Sequence, residues 1–124
     1  MASNKIHSRV LVIDDEDRVR EDLQAIFEPL GYEVKVAYGS NDTLLENAKN
    51  LARQFRPHVV IVDLRLHLND DPTDRSGFKL LKEMDPTRCI LYSAYINSET
   101  SRQLAVLKAA GWIGKEEPPQ MLVD

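Results

Sequence analysis

The sequence predicts a doubly wound α/β domain built on a five-stranded parallel sheet, and three observations carry that reading. Val10-Leu11-Val12-Ile13 and Val59-Val60-Ile61-Val62 are short apolar runs without alternation, the pattern of strands covered on both faces. Stretches of helical periodicity follow them, and the two kinds of segment alternate along the chain. The length, 124 residues, is that of one ordinary domain with a core that needs no staple.

Arg9 to Ile13 is the first strand, ended abruptly by Asp14-Asp15-Glu16-Asp17. Val19, Leu23, Ile26, Phe27 and Leu30 then recur at spacings of three and four, which predicts a helix from Asp17 to about Leu30 with one buried face. Asp15 or Asp17 is the expected N-cap, and Gly31 the terminator. Tyr32 to Ala37 alternates and is short, which suits a strand nearer the sheet edge. After a turn at Gly39-Ser40, a helix from about Asn41 to Phe55 directs Leu44, Leu45, Ala48, Leu51, Ala52 and Phe55 inward, and Pro57 stops it. His58 to Asp63 is the third strand, again with an acid at its end.

Leu64 to Ser76 is polar and turn-rich, so a long loop is expected around 66–77. Phe78 to Met84 forms a short helix ended by Asp85-Pro86. Arg88 to Tyr92 is the fourth strand and runs into Ser93-Ala94. A helix from about Ser98 to Ala110 follows, with Leu104, Leu107 and Lys108 periodic and Gly111 at its end. Trp112-Ile113-Gly114 is a brief fifth strand that leads into Lys115. The tail from Glu116 to Asp124 has room for one or two helical turns. A polar lead-in over residues 1–8 and a single domain over 9–124 account for the whole, with no repeat and no linker.

Composition excludes several function classes. Lys and Arg number 16 against 20 Asp and Glu, for a net charge of -4. No basic stripe exists to neutralise phosphates, so direct nucleic-acid binding is not expected. No apolar run approaches the ~20 residues of a membrane span, and the start is too polar for a signal-peptide core. A cytoplasmic location is expected. The single Cys89 cannot form an internal disulfide and reads as a small buried apolar residue.

The chemistry concentrates at the strand ends. In an open parallel sheet, ligands bind beyond the carboxyl ends of the strands, at the switch in strand order. This sequence puts Asp14-Asp15, Asp63, Ser93 and Lys115 there. Crowded carboxylates repel one another unless a cation neutralises them or their pKa values rise. A hard, oxygen-preferring ion fits, Mg²⁺ or Mn²⁺, whereas Cys89 inside a strand and the scattered His7, His58 and His67 make no soft-metal set. Ser93 and Lys115 suit a phosphoryl group better than a metal, the one as a hydroxyl donor and the other as a point charge. Beside a divalent ion, one carboxylate can act as nucleophile and become an acyl phosphate. Helix capping is the plainer role for Asp14 and Asp15, and it is compatible with metal binding.

These residues resemble the receiver domain of two-component response regulators, from about Arg9 to at least Lys115. The resemblance is carried by Val10 to Glu16, Val59 to Asp63, Tyr92-Ser93-Ala94, and Gly111 to Lys115. It implies strand order 2-1-3-4-5 and a phospho-acceptor at Asp63. It implies metal ligation by Asp15 directly, by Asp14 largely through water, by Asp63, and by the backbone carbonyl of Arg65. Ser93 and Lys115 would contact the phosphoryl group, with Ala94 the small neighbour that leaves room. Trp112 would be the aromatic switch residue, although core packing would equally explain it. Arg65 and Tyr95 would border the phosphoryl group and tune its hydrolysis. The implied donor is a histidine kinase or phosphotransfer protein, and the surface of the fourth helix, fifth strand and fifth helix would be read by an output domain or downstream protein.

The sequence departs from that pattern in places. The loop after Asp63 is long and acidic, with Asp70, Asp71 and Asp74, and the second helix is extended. Glu116 follows Lys115 where the family has proline, so a cis bond there would cost ~2.5–4 kcal/mol. The tail is too short for a full fifth helix, which suggests a fragment of a longer regulator. Two other functions are weighed. A degenerate receiver would act only through protein contacts. A Mg²⁺-dependent phosphatase with Asp63 as nucleophile would want an acid-base Asp at the position of Arg65. A flavin site fails, because Asp14-Asp15 would repel the phosphate. A homodimer through the fourth-helix face is left open by Glu99, Arg102 and Gln103.

Overall fold

The computed structural model describes residues 8–39, 41–63, 76–93, 98–115, 117 and 122, without the side chains of residues 41, 76, 78 and 87. Five strands form one sheet: β1 Arg9–Ile13, β2 Glu33–Val36, β3 Val59–Val62, β4 Cys89–Ser93 and β5 Gly111–Gly114. All pairings are parallel, in the order β2-β1-β3-β4-β5. The helices between them are α1 Asp17–Phe27, α2 Asn41–Phe55, α3 Ser76–Glu83 and α4 Ser98–Val106.

Alternate strand residues build two cores, which is why the strands read as unbroken apolar runs. Leu11, Ile13, Val60, Val62, Cys89 and Leu91 pack with Leu44 and Ala48 of α2, Leu80 and Leu81 of α3, and Leu104 of α4. Val10, Val12, Ile61 and Tyr92 pack with Leu23 and Phe27 of α1 and with Leu122 of the tail. The six inward residues expected on α2 all lie in or against the first core. Cys89 is buried there, and burial pushes its thiol up to about 12, consistent with an inert packing role.

Helix ends account for most differences from the sequence expectations. α1 stops at Phe27, and Glu28–Leu30 forms a 3-10 turn that leaves Leu30 58% exposed rather than on the buried face. Gly31 closes this end as expected, at φ 94°. Tyr32 N–H donates to Phe27 O and Gly31 N–H to Glu28 O, the paired bonds of a Schellman cap. The Phe27 and Tyr32 rings meet edge-on at 5.3 Å across it. The N-cap of α1 is Glu16, without a side-chain bond, and not Asp15 or Asp17.

The fourth helix ends at Val106 instead of Ala110, because Lys108 turns left-handed at φ 60°. Ala109 N–H reaches Leu104 O and Lys108 N–H reaches Ala105 O, so the cap sits at Lys108 and Gly111 already belongs to β5. Lys108 is therefore an exposed cap residue and not part of the buried stripe. α3 begins at Ser76, two residues before the expected start. Arg56, at φ 51° and followed by Pro57, ends α2. Arg9 adds a cap from outside, its Nε donating to Phe55 O at 2.9 Å and its Nη2 to Arg56 O at 2.8 Å. The expected loop and most of the tail lie outside the described residues.

A non-glycine residue in the left-handed region is strained, while glycine adopts it freely. Lys108→Gly is therefore expected to raise stability by about 0.5–1 kcal/mol in urea unfolding. Leu104→Ala, in the core just before that cap, is expected to lose about 2–5 kcal/mol in the same measurement.

Candidate functional site at the strand ends

The sheet register delivers the site. β1 and β3 pair Ile13 with Val62, so Asp14 and Asp63 leave adjacent strands side by side, and Asp63 N–H donates to Ile13 O at 3.0 Å. β4 ends in Ser93, and Lys115 N–H donates to Ser93 O at 3.0 Å, continuing the β4–β5 ladder to the lysine. Asp14, Asp63 and Ser93 are all buried, at 2%, 1% and 0% exposure.

Lys115 Nζ lies 2.9 Å from Asp14 Oδ2, 3.4 Å from Asp63 Oδ2 and 3.8 Å from Glu16 Oε1. Its ammonium also sits 5.9 Å from the centre of the Tyr92 ring. Asp14 Oδ1 accepts the Glu16 N–H at 3.0 Å, and Ser93 hydrogen-bonds the Asp63 carboxylate. Burial pushes Asp63 up to about 7, with the Asp14 charge adding to the rise and Lys115 and Ser93 opposing it. Burial likewise raises Asp15 to about 6, reinforced by Asp14. Asp14 is raised by burial against the pull of Lys115. Burial disfavours the Lys115 ammonium, but Asp14 and Asp63 outweigh that and hold its pKa above the usual lysine value.

A divalent cation fits this set. Asp14, Asp15 and Glu16 can each offer an oxygen within 4.8 Å of the others. Asp15 Oδ1 is buried with no hydrogen-bond partner among the described residues, which is costly unless a ligand takes it. Asp63 lies outside that group of three but shares the Lys115 ammonium with Asp14 and Glu16. An all-oxygen donor set with excess negative charge suits Mg²⁺ or Mn²⁺.

The structure thus brings together Asp14, Asp15, Asp63, Ser93 and Lys115. Trp112 lies on β5 opposite Leu91, three residues before Lys115, and is 38% exposed. Arg65, Ala94 and Tyr95 lie outside the described residues, as does Glu116 and with it the question of a cis bond. Sequence reasoning missed Glu16 as a partner of Lys115 and Arg20 beneath the turn. Arg20 was findable, since it stands three and seven residues before Leu23 and Phe27 on the inward stripe of α1. A cleft of about 580 Å³ near the amino ends of β3 and β4, lined by Lys49, Arg53, Met84 and Arg88 among others, shares no residue with this site.

Fold and site define a class: a small doubly wound α/β domain with a lysine-bridged acidic pocket at its strand ends. Comparison with known proteins makes the family plain. The chain belongs to the response regulator receiver domain family, whose profile matches residues 10–124. It is 34% identical over 98 residues to the regulatory protein AtoC of Escherichia coli K12, across 76% of this chain. It spans only 19% of AtoC, about a fifth of that protein's length. The fold is similar to that of the Vibrio cholerae chemotaxis protein CheY4, with a TM-score of 0.75 at 21% identity over 95% of this chain and 94% of that one. It is also similar to the BeF3-activated receiver domain of Klebsiella pneumoniae RstA, with a TM-score of 0.73 at 17% identity over 94% and 92% of the two chains. The protein is a receiver domain of two-component response regulators, a regulatory family whose standard role is to accept a phosphoryl group. Among the described residues, no helix is long and apolar enough to cross a membrane.

The raised carboxylates set a pH dependence. The folded chain binds these protons more tightly than the unfolded chain, so their stabilising effect is complete below about pH 3.8 and is lost as pH rises through about 6 and about 7. The urea midpoint of the metal-free protein is expected to carry a falling contribution from these groups between about pH 4 and about pH 7, levelling off above that. Asp63→Asn should flatten that fall and stabilise the metal-free protein at the higher pH, by on the order of 1–3 kcal/mol.

Proposed function

We propose that Asp63 accepts a phosphoryl group from a histidine kinase or phosphotransfer protein in a reaction that requires Mg²⁺ or Mn²⁺. A carboxylate oxygen of Asp63 attacks the phosphorus of the donor phosphohistidine. The P–N bond breaks, its electron pair returns to the imidazole, and an acyl phosphate forms. In this reading Asp14, Asp15, Asp63 and the Arg65 backbone carbonyl would hold the metal, whose chemistry would be to neutralise charge on the transferring group. Lys115 exchanges its contact with Asp63 for one with the phosphoryl oxygens, and the Ser93 hydroxyl donates to another of them. Ala94 leaves room for that movement, and Trp112 turns inward as Ser93 moves. Arg65 and Tyr95 border the group and set how fast water removes it.

The observation that carries the reading is the convergence of buried Asp14 and Asp63 on one ammonium, with buried Ser93 bonded to Asp63, at the strand ends where such folds bind ligands. Phosphorylation then shifts a two-state equilibrium read on the face of α4, β5 and the segment after it by an output domain or downstream protein. On this reading residues 9–124 are one receiver domain of a longer regulator. A cytoplasmic setting goes with it, because the lone Cys89 suits a reducing compartment.

Intact mass after incubation with acetyl phosphate tests the assignment. One phosphoryl group is expected in the presence of Mg²⁺, none with chelator, and none on Asp63→Asn. An unchanged mass with Mg²⁺ present would overturn it in favour of a receiver that acts through contacts alone.

A further inference from the structure

The turn that carries Asp14, Asp15 and Glu16 is gripped from below by one buried cation. Arg20 is 6% exposed, unusual for an arginine. Its Nη1 donates to the backbone carbonyl of Asp14 at 2.6 Å, while its own backbone N–H donates to the carbonyl of Glu16 at 3.2 Å. The guanidinium therefore holds the backbone where the acidic run begins, whereas the bond to Glu16 is the ordinary first backbone bond of α1. Its Nη2 pairs with Asp17, and its guanidinium lies 5.3 Å from the centre of the Tyr38 ring. Tyr38 is itself fastened from α2, through the Asn47 side chain to its carbonyl at 2.7 Å.

We propose that Arg20 is a positioning residue for the divalent-cation site. It fixes the peptide between Asp14 and Asp15, and so the direction in which Asp15 presents its buried Oδ1, which has no hydrogen-bond partner among the described residues. The inference rests on the reading above that Asp14 and Asp15 hold the metal. Two effects of this arginine oppose each other. Its positive charge would repel a nearby cation, whereas its grip pre-arranges the ligands. Asp17 pairs with that charge, which leaves the geometric effect dominant. Removing Arg20 should therefore weaken Mg²⁺ binding. Lysine is no substitute, because a single ammonium lacks the planar fork that reaches the Asp14 carbonyl and Asp17 while lying against Tyr38.

Calorimetric titration of the chain with Mg²⁺, beside the melting temperature of each metal-free variant, tests this. Arg20→Gln should raise the Mg²⁺ Kd about tenfold, the range found when groups that orient metal ligands are removed. Arg20→Lys should raise it by roughly 3–10-fold. Tyr38→Ala, at a position 60% exposed, should raise it by about 2–3-fold through loss of the ring contact. A purely structural arginine would lower the melting temperature and leave Kd unchanged. Tighter binding by Arg20→Gln would mean that charge repulsion dominates, and would overturn the proposal. Unchanged Kd in both Arg20→Lys and Tyr38→Ala would overturn it too, even if Arg20→Gln did not fold. If the wild type binds Mg²⁺ and the variants match it, only this inference falls. If the wild type does not bind, the assignment of the metal site falls with it.

Discussion

The ammonium of Lys115 among buried carboxylates is the interaction on which the arrangement depends. Asp14 and Asp63 leave neighbouring strands at nearly zero exposure, and two like charges so placed cannot both ionise without a counter-charge. Lys115 supplies it at 2.9 and 3.4 Å. It can do so because β5 pairs beside β4 and extends its ladder by one bond to the lysine. Strand order and site electrostatics are thus one problem. A shift of β5 by one residue would turn the lysine to the other face and leave the carboxylates uncompensated.

Stability and function are divided along each strand. The middles carry Leu11, Ile13, Val60, Val62 and Leu91 into one core and Val10, Val12 and Ile61 into the other. The ends carry groups that oppose burial. Only well-packed layers on both faces can tolerate a cluster whose carboxyl groups are pushed toward about 6 and about 7. The helix caps at Gly31, Arg56 and Lys108 contribute in the same sense, by satisfying carbonyls that the helix ends would leave open.

Much of this was legible in the sequence. Apolar runs located β1 and β3 to within a residue, because a strand buried on both faces has no polar position to confuse the pattern. The strand-end acids, Ser93 and Lys115 followed from topology alone. Helix ends were less legible. Leu30 fits a 3.6-residue period, yet Pro29 and Gly31 tighten the chain into a 3-10 turn and expose it. Lys108 likewise fits the α4 stripe, and nothing in a lysine announces a left-handed cap. Arg20 stands on the legible inward stripe of α1, but what it and Arg9 hold was not legible. Their work is done on backbone carbonyls, which every residue possesses and no sequence pattern marks.

Lys115 follows from the last strand, whereas Asp14 follows from the first. A ribosome releases the acids of β1 and β3 well before their counter-charge exists. Until β5 docks, that edge of the sheet is a nest of like charges that favours protonation or an ion from solution over closure. The final pairing therefore gains a non-local electrostatic reward as well as its ladder bonds. A chain interrupted before Lys115 forfeits that reward at the place where its partial sheet is least able to do without it.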